Sequence, residues 1–145
     1  MIGLIQRVTT ASVSVQGQKI ASIDSGILLL LGIEKADTAQ QADKLLNKIL
    51  QYRIFADENA KMNLNLQQIG GGLLIVPQFT LPADTRKGSR PSFTPAATPE
   101  TGMMLFDYFC RQASLQHASV SAGRFGADMQ VSLVNDGPVT FWLQV

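Results

Sequence analysis

Eight consecutive residues, "GILLLLGI" at 26–33, carry no polar side chain. Successive side chains of a strand point to opposite faces, so a strand without polar alternation has no face to leave in water. The run is also too short to cross a bilayer, which takes about 20 residues as a helix. It predicts a strand covered on both faces, and the rest of the chain must supply the covers. A chain of 145 residues, 46% hydrophobic and 16% charged, has enough apolar material for that core within one domain, 1–145.

One cover is easily read. In "DTAQQADKLLNKILQYRIF", Thr38 with Gln41 three residues on is a capping-box pattern. Leu45, Leu46, Ile49 and Leu50 then follow at helical spacing, with Lys44, Lys48 and Gln51 turned outward. This predicts a helix over 39–53. A second helix is expected over 99–115, opened by Thr98 as N-cap and Pro99 at the first helical position, with Leu105, Phe106, Phe109 and Cys110 as its stripe.

The remaining segments read as strands and loops. Residues 2–8, 12–15 and 18–23 are short β-type segments, with a turn at 16–18. Residues 56–72 are polar and turn-rich, with one short strand near Leu64–Leu66. "GLLIVPQFTL" is a buried strand broken by Pro77, and 82–97 is a long loop of the kind that often carries function. "ASVSAG", "ADMQVSLVN" and "PVTFWLQV" close the chain as three strands. The expected fold is α/β: a mostly antiparallel, barrel-like sheet with two main helices.

Charge and composition exclude several functions. Net charge is +1, so no overall basic field announces nucleic acid, and such a partner would need local patches. The chain has a single cysteine, Cys110, so no intrachain disulfide forms, and a cytoplasmic location without membrane contact is expected. The opening "MIGLIQRVTTASVSV" lacks the apolar stretch of a signal peptide. The single histidine, His117, has no second histidine or cysteine cluster with which to hold a metal, and a surface-loop position suits it better than a catalytic one. Cys110, on a helix's apolar stripe, reads as an inert thiol. "GGG" at 70–72 precedes a β-type segment rather than a helix, so it is no phosphate loop. Asp128 and Asp136 are isolated, and nothing pairs them for acid–base work.

Two places keep chemical interest. At "VPQFTL", 76–81, an apolar strand runs into a polar loop. Gln78 and Thr80 can hydrogen-bond a ligand there, and the backbone N–H groups of Phe79 and Thr80 can form an oxyanion hole. The plain alternative is a strand terminus with a packed Phe79. At "NDGP", 135–138, Asn-Asp-Gly reads as a hairpin turn with proline opening the next strand, and the sharper alternative is a cis Gly137-Pro138 bond. The basic loop residues Arg86, Lys87 and Arg90 form either a solvated loop or a phosphate-contacting one.

Four blocks resemble one family along the whole chain: "IQRV" at 5–8, "YRIFADENAKMNLN" at 52–65, "GLLIVPQFTLPADTRKGSRPSF" at 72–93 and "GRFGADMQVSLVNDGPVTFWLQV" at 123–145. The chain is similar to D-aminoacyl-tRNA deacylases of the bacterial and eukaryotic type. The resemblance implies a homodimer, without cofactor, that hydrolyses the ester between a D-amino acid and the terminal adenosine of tRNA. It implies a cis Gly137-Pro138 motif lent to the partner's active site, where its carbonyls reject L-amino acids. Arg7 resembles the residue bracing that motif. Met129 and Phe125 match positions near the terminal adenine, and Gln78, Phe79 and Thr80 match those along the scissile ester.

One departure stands out. The family usually carries serine before the glutamine, where this chain has Pro77, which offers neither hydroxyl nor N–H. A mechanism resting on the N–H groups of Phe79 and Thr80 survives that change. Two rival functions remain at this stage: a threonine-dependent hydrolase of small esters, and a non-catalytic RNA-binding domain.

Overall fold

A computed structural model describes all residues, 1–145. The apolar run forms β3 (Gly26–Gly32), and it is covered on both faces. Ile27, Leu29 and Leu31 face one core cluster, which includes Leu45, Leu46, Ile49, Phe106 and Phe109. Leu28 and Leu30 face the other, with Val8, Val13, Leu74 and Val76.

The first cover comes from two helices. Helix α1 (Ala39–Gln51) starts with the expected capping box between Thr38 and Gln41 and buries Ala42, Leu45, Leu46, Ile49 and Leu50. It stops before residue 53 because Tyr52 turns extended and the chain enters β4 (Phe55–Ala56), which pairs with β5 (Met62–Leu64). Helix α3 (Pro99–Gln116) is capped by Thr98 and buries Leu105, Phe106, Phe109 and Ala113. Between them the structure adds a one-turn helix, α2 (Leu66–Ile69). Its signal was present as Asn65 followed by Gln68, a second capping box. No helix is long and apolar enough to cross a membrane.

The second cover is the sheet itself. β1 (Ile2–Val15) is one strand where the sequence suggests two pieces. Thr9 and Thr10 join them, since β-branched threonine is at home on a half-exposed strand. One edge of β1 is shared: Ile2–Val8 pair with β3, and Ala11–Val15 with β2 (Gln18–Ile23). β6 (Gly72–Pro77) continues the sheet beside β3, and β7 (Val120–Ala122) lies beside β6, both in parallel pairings. The sheet is therefore mixed: its parallel members arise because α1 and α3 lie within β3-to-β6 and β6-to-β7 crossovers. The sheet curls until β7 approaches β2, where Ser121 Oγ donates to the Ser22 carbonyl at 3.3 Å, and the barrel is nearly closed.

The C-terminal segment departs most from the sequence reading. The expected strands "ADMQVSLVN" and "PVTFWLQV" form a single strand, β8 (Met129–Gln144), antiparallel to β1 along its length. There is no hairpin at Asn-Asp-Gly. Gln6 pairs with Thr140 and Val8 with Asn135, so residues 136–139 bulge out of the ladder opposite Arg7. A hairpin would have turned the final strand away from β1, whereas a bulge lets both halves keep the same partner.

Candidate functional site

β6 delivers the first candidate region. Its hydrogen-bonding partnership with β3 ends at Pro77, after which the Gln78 N–H still donates to the Leu31 carbonyl at 2.8 Å. The next two N–H groups, of Phe79 and Thr80, have no partner within the chain, because the following turns are closed by Leu81 N–H to the Gln78 carbonyl and Ala83 N–H to the Thr80 carbonyl. Two successive donors thus stand unused on an exposed rim. The side chains are tied locally: Gln78 Nε2 donates to Thr80 Oγ1 at 2.6 Å. Phe79 is not packed away; it is 61% exposed and leans on Phe93, with ring centroids 5.2 Å apart.

These residues open onto a groove of about 570 Å³ lined by Gln78, Phe79, Phe93, Phe125, Met129 and neighbouring apolar side chains. Phe125 and Met129, placed far from Gln78 in sequence, are brought to it because β8 begins where β6 ends. Pro77 also lines the groove. The lining contains no carboxylate, histidine, cysteine, lysine or arginine. The groove can bind a flat apolar group next to a segment with two unused N–H donors, but it offers no side-chain base.

The candidates for such a base lie elsewhere. His117 caps the end of α3 rather than sitting free in a loop, and its Nε2 is 2.7 Å from the Gly71 carbonyl. Gly71 precedes β6 and Gln78 follows it, so the imidazole and the groove are at opposite ends of the strand. Burial pushes the Cys110 thiol up to about 12, with Asp107 adding to the effect, so it stays protonated at neutral pH. No three His, Cys, Asp or Glu side chains are grouped as metal ligands.

The second candidate region is the β8 bulge. The Gly137-Pro138 peptide is cis. Asn135 holds the bulge at its base: its Oδ1 accepts from Val139 N–H at 2.7 Å, and its Nδ2 donates to the Val139 carbonyl and to Thr140 Oγ1 and Gln6 Oε1. Arg7 holds it from β1. Its Nε donates to the Asp136 carbonyl at 3.0 Å and lies 3.1 Å from the Asp136 carboxylate. Its Nη1 donates to the Ile54 carbonyl at 2.7 Å, which fixes the guanidinium from the other side. Gly137 has φ +138°, and a Cβ there would lie 2.7 Å from Val139 Cγ2 and 3.1 Å from Arg7 Nη2.

Within one chain the two regions do not meet. Arg7 pairs with Ile27, which pairs with Leu73, so the bulge is in register with the start of β6. Gln78 lies five residues further on, roughly 17 Å along the strand direction at ~3.3 Å per residue. The structure therefore gathers Gln78, Phe79, Phe125 and Met129 along the groove, with Thr80 next to Phe79 but outside the lining, and Arg7, Gly137 and Pro138 in another place. Sequence reasoning missed Phe93, whose signal was an aromatic residue in an otherwise polar loop. It also missed Asn135 as the anchor of the bulge.

Comparison with known proteins adds an independent line. A family model described as D-Tyr-tRNA(Tyr) deacylase matches residues 4–144. Proteins named D-aminoacyl-tRNA deacylase from Dichelobacter nodosus and Pseudomonas putida are each 61% identical over 145 residues, covering 100% of both chains. Among solved structures, one described as a c-Myc DNA unwinding element binding protein superposes with a TM-score of 0.96 at 38% identity, covering 100% of this chain and 99% of that one. A probable eukaryotic D-amino acid tRNA deacylase shares the fold, with a TM-score of 0.86 at 16% identity over 99% of this chain and 98% of that one.

Proposed function

The chain belongs to the D-Tyr-tRNA(Tyr) deacylase family, and on that premise we propose how its two separated regions serve one reaction. The enzyme is a hydrolase of D-aminoacyl-tRNA. Water adds to the ester carbonyl, the bond to the ribose 3′-oxygen breaks, and that oxygen leaves with a proton as free tRNA and free amino acid separate. A tRNA substrate fits a cytoplasmic location.

The observation that carries the mechanism is the pair of unused N–H groups on Phe79 and Thr80, beside a groove without a titratable side chain. Those donors face the developing oxyanion, and one such donor is worth roughly 10²–10³ in rate. The base comes from the substrate: the 2′-hydroxyl of the terminal ribose is adjacent to the ester. The Gln78–Thr80 hydrogen bond orients the loop, and the Thr80 hydroxyl is not the nucleophile. The terminal adenine lies between Phe125 and Met129. An aminoacyl ester is activated, so positioning plus donors suffice.

Chirality is read by the bulge of a second subunit. Gly137 and Pro138 stand at least a strand's length from their own chain's groove, and β8 has a free outer edge with Val134 and Trp142 about half exposed. In a homodimer the bulge enters the partner's groove, where its main-chain atoms leave no room for an L side chain while a D side chain points outward. Glycine has no side chain to reject, so glycyl-tRNA is also a substrate.

Release of amino acid from D- and L-tyrosyl-tRNA, without metal or nucleotide, tests this reading. The D substrate should be hydrolysed and the L substrate spared. A D substrate ending in 2′-deoxyadenosine should react much more slowly. Equal rates for ribose and deoxyribose ends would remove the substrate hydroxyl from the mechanism, and rapid cleavage of small esters lacking RNA would favour a general esterase.

A further inference from the structure

The loop between β6 and α3 carries three cations, and the structure separates them. Asp84 and Ser92 exchange both backbone hydrogen bonds, Asp84 N–H to the Ser92 carbonyl at 2.8 Å and Ser92 N–H to the Asp84 carbonyl at 3.0 Å. This bridge closes residues 85–91 into a projecting lobe. Its base is held against the groove, because Phe93 follows Ser92 directly and its ring rests on Phe79. The far leg of the loop is pinned to the end of β3 by Lys35 N–H to the Pro95 carbonyl and Ala97 N–H to the Ile33 carbonyl. The lobe is therefore a fixed attachment to the groove's rim.

Arg86 is spent within the lobe. Its Nε and Nη2 reach the two Asp84 carboxylate oxygens at 2.9 and 2.7 Å, and its backbone N–H donates to the same carboxylate at 3.0 Å. The guanidinium holds the Asp84 carboxyl far below the usual carboxylate range, and the pair closes the turn rather than presenting net charge. Lys87 and Arg90 are exposed, and neither makes an ion pair or a side-chain hydrogen bond. The lobe therefore presents two free positive charges beside a groove that has none of its own.

We propose that Lys87 and Arg90 form an anion-binding lobe that takes the backbone phosphates of the RNA strand leading into the groove, while Arg86 serves only to shape the turn. This rests on the reading that an aminoacylated RNA end occupies the groove. Fixed cations at the rim and an uncharged, apolar groove divide the labour of holding such an end: the phosphates are held outside and the terminal nucleoside within. They also let a chain of net charge +1 hold a polyanion without a basic field over its whole surface.

The test compares three forms of the full-length enzyme on D-tyrosyl-tRNA: wild type, Lys87→Ala/Arg90→Ala, and Lys44→Ala/Lys48→Ala on the outer face of α1 as an equal loss of charge. The lobe variant should raise KM about tenfold or more at moderate salt and leave kcat at saturation and the D/L ratio unchanged. The slope of log(kcat/KM) against log[salt] should flatten by about 1.4, at ~0.7 per phosphate contact on a single strand. The α1 variant should keep the wild-type slope. An unchanged KM and slope in the lobe variant, or an equal change in the α1 variant, would overturn the proposal. If wild type itself released no D-amino acid, the deacylase reading would fail instead; filter binding of uncharged tRNA by the same three forms would still decide the lobe's role.

Discussion

The two candidate regions are built on opposite principles. At the end of β6 the backbone runs out of partners, leaving the N–H groups of Phe79 and Thr80 unused and a large aromatic ring in water. At the β8 bulge the flanking groups are engaged: Asn135 makes four hydrogen bonds, and Arg7 reaches two carbonyls and a carboxylate. The first arrangement is left incomplete so that a ligand can complete it. On the proposed reading the second is completed in advance, so that a ligand would meet a surface that does not yield. A reacting centre needs open donors, whereas a steric test needs stiffness.

That contrast can be broken most directly at the open side. Phe79→Pro, compared with Phe79→Ala to account for the lost ring, deletes one of the two unused donors and should cut kcat on D-tyrosyl-tRNA by about 10²–10³ further while thermal unfolding stays near that of Phe79→Ala; equal turnover of the two variants would take the oxyanion hole out of the mechanism. On the saturated side, Gly137→Ala places a methyl against Val139 and Arg7 at a φ that L residues rarely adopt. A displaced bulge should cost about 10²-fold in activity or abolish the D/L ratio in paired deacylation assays. Arg7→Ala removes one brace but leaves Asn135, so a smaller loss is expected. About tenfold greater leakage of L-tyrosyl-tRNA, with D turnover little altered, would match a positioning role. The mildest change should be Thr80→Ala, less than tenfold in kcat, because the hydroxyl only accepts from Gln78; near-total loss would make it the nucleophile.

Local chemistry made most of the fold legible. The unbroken run in β3, the Thr38–Gln41 box and the Thr98-Pro99 start each encode their element within a few residues, and each lies where the sequence places it. What escaped depends on pairing across the chain. Asn-Asp-Gly is locally a hairpin signal, and only the length of β1, which can pair with both halves of β8, turns it into a bulge. Parallel neighbours for β6 likewise follow from where α1 and α3 pack, which no short segment states. The strand end that carries Gln78, Phe79 and Thr80 into an exposed loop was readable. Phe93 was not, because an aromatic residue in a polar loop gains its meaning from the Phe79 ring it meets. The division among Arg86, Lys87 and Arg90 was equally hidden until Asp84 was seen to claim the first.

The pairing of β1 with β8 also bears on how the molecule is made. Ile2 faces Gln144 and Val15 faces Met129, so β1, synthesised well before β8, waits for it. Until then one flank of β1 keeps a row of unsatisfied main-chain groups, the kind of template that recruits stray strands. The ladder is assembled from the most distant contacts the sequence allows, and such topologies are slow to form. Newly synthesised copies are therefore most vulnerable to aggregation in the interval before the C-terminal strand is free to dock.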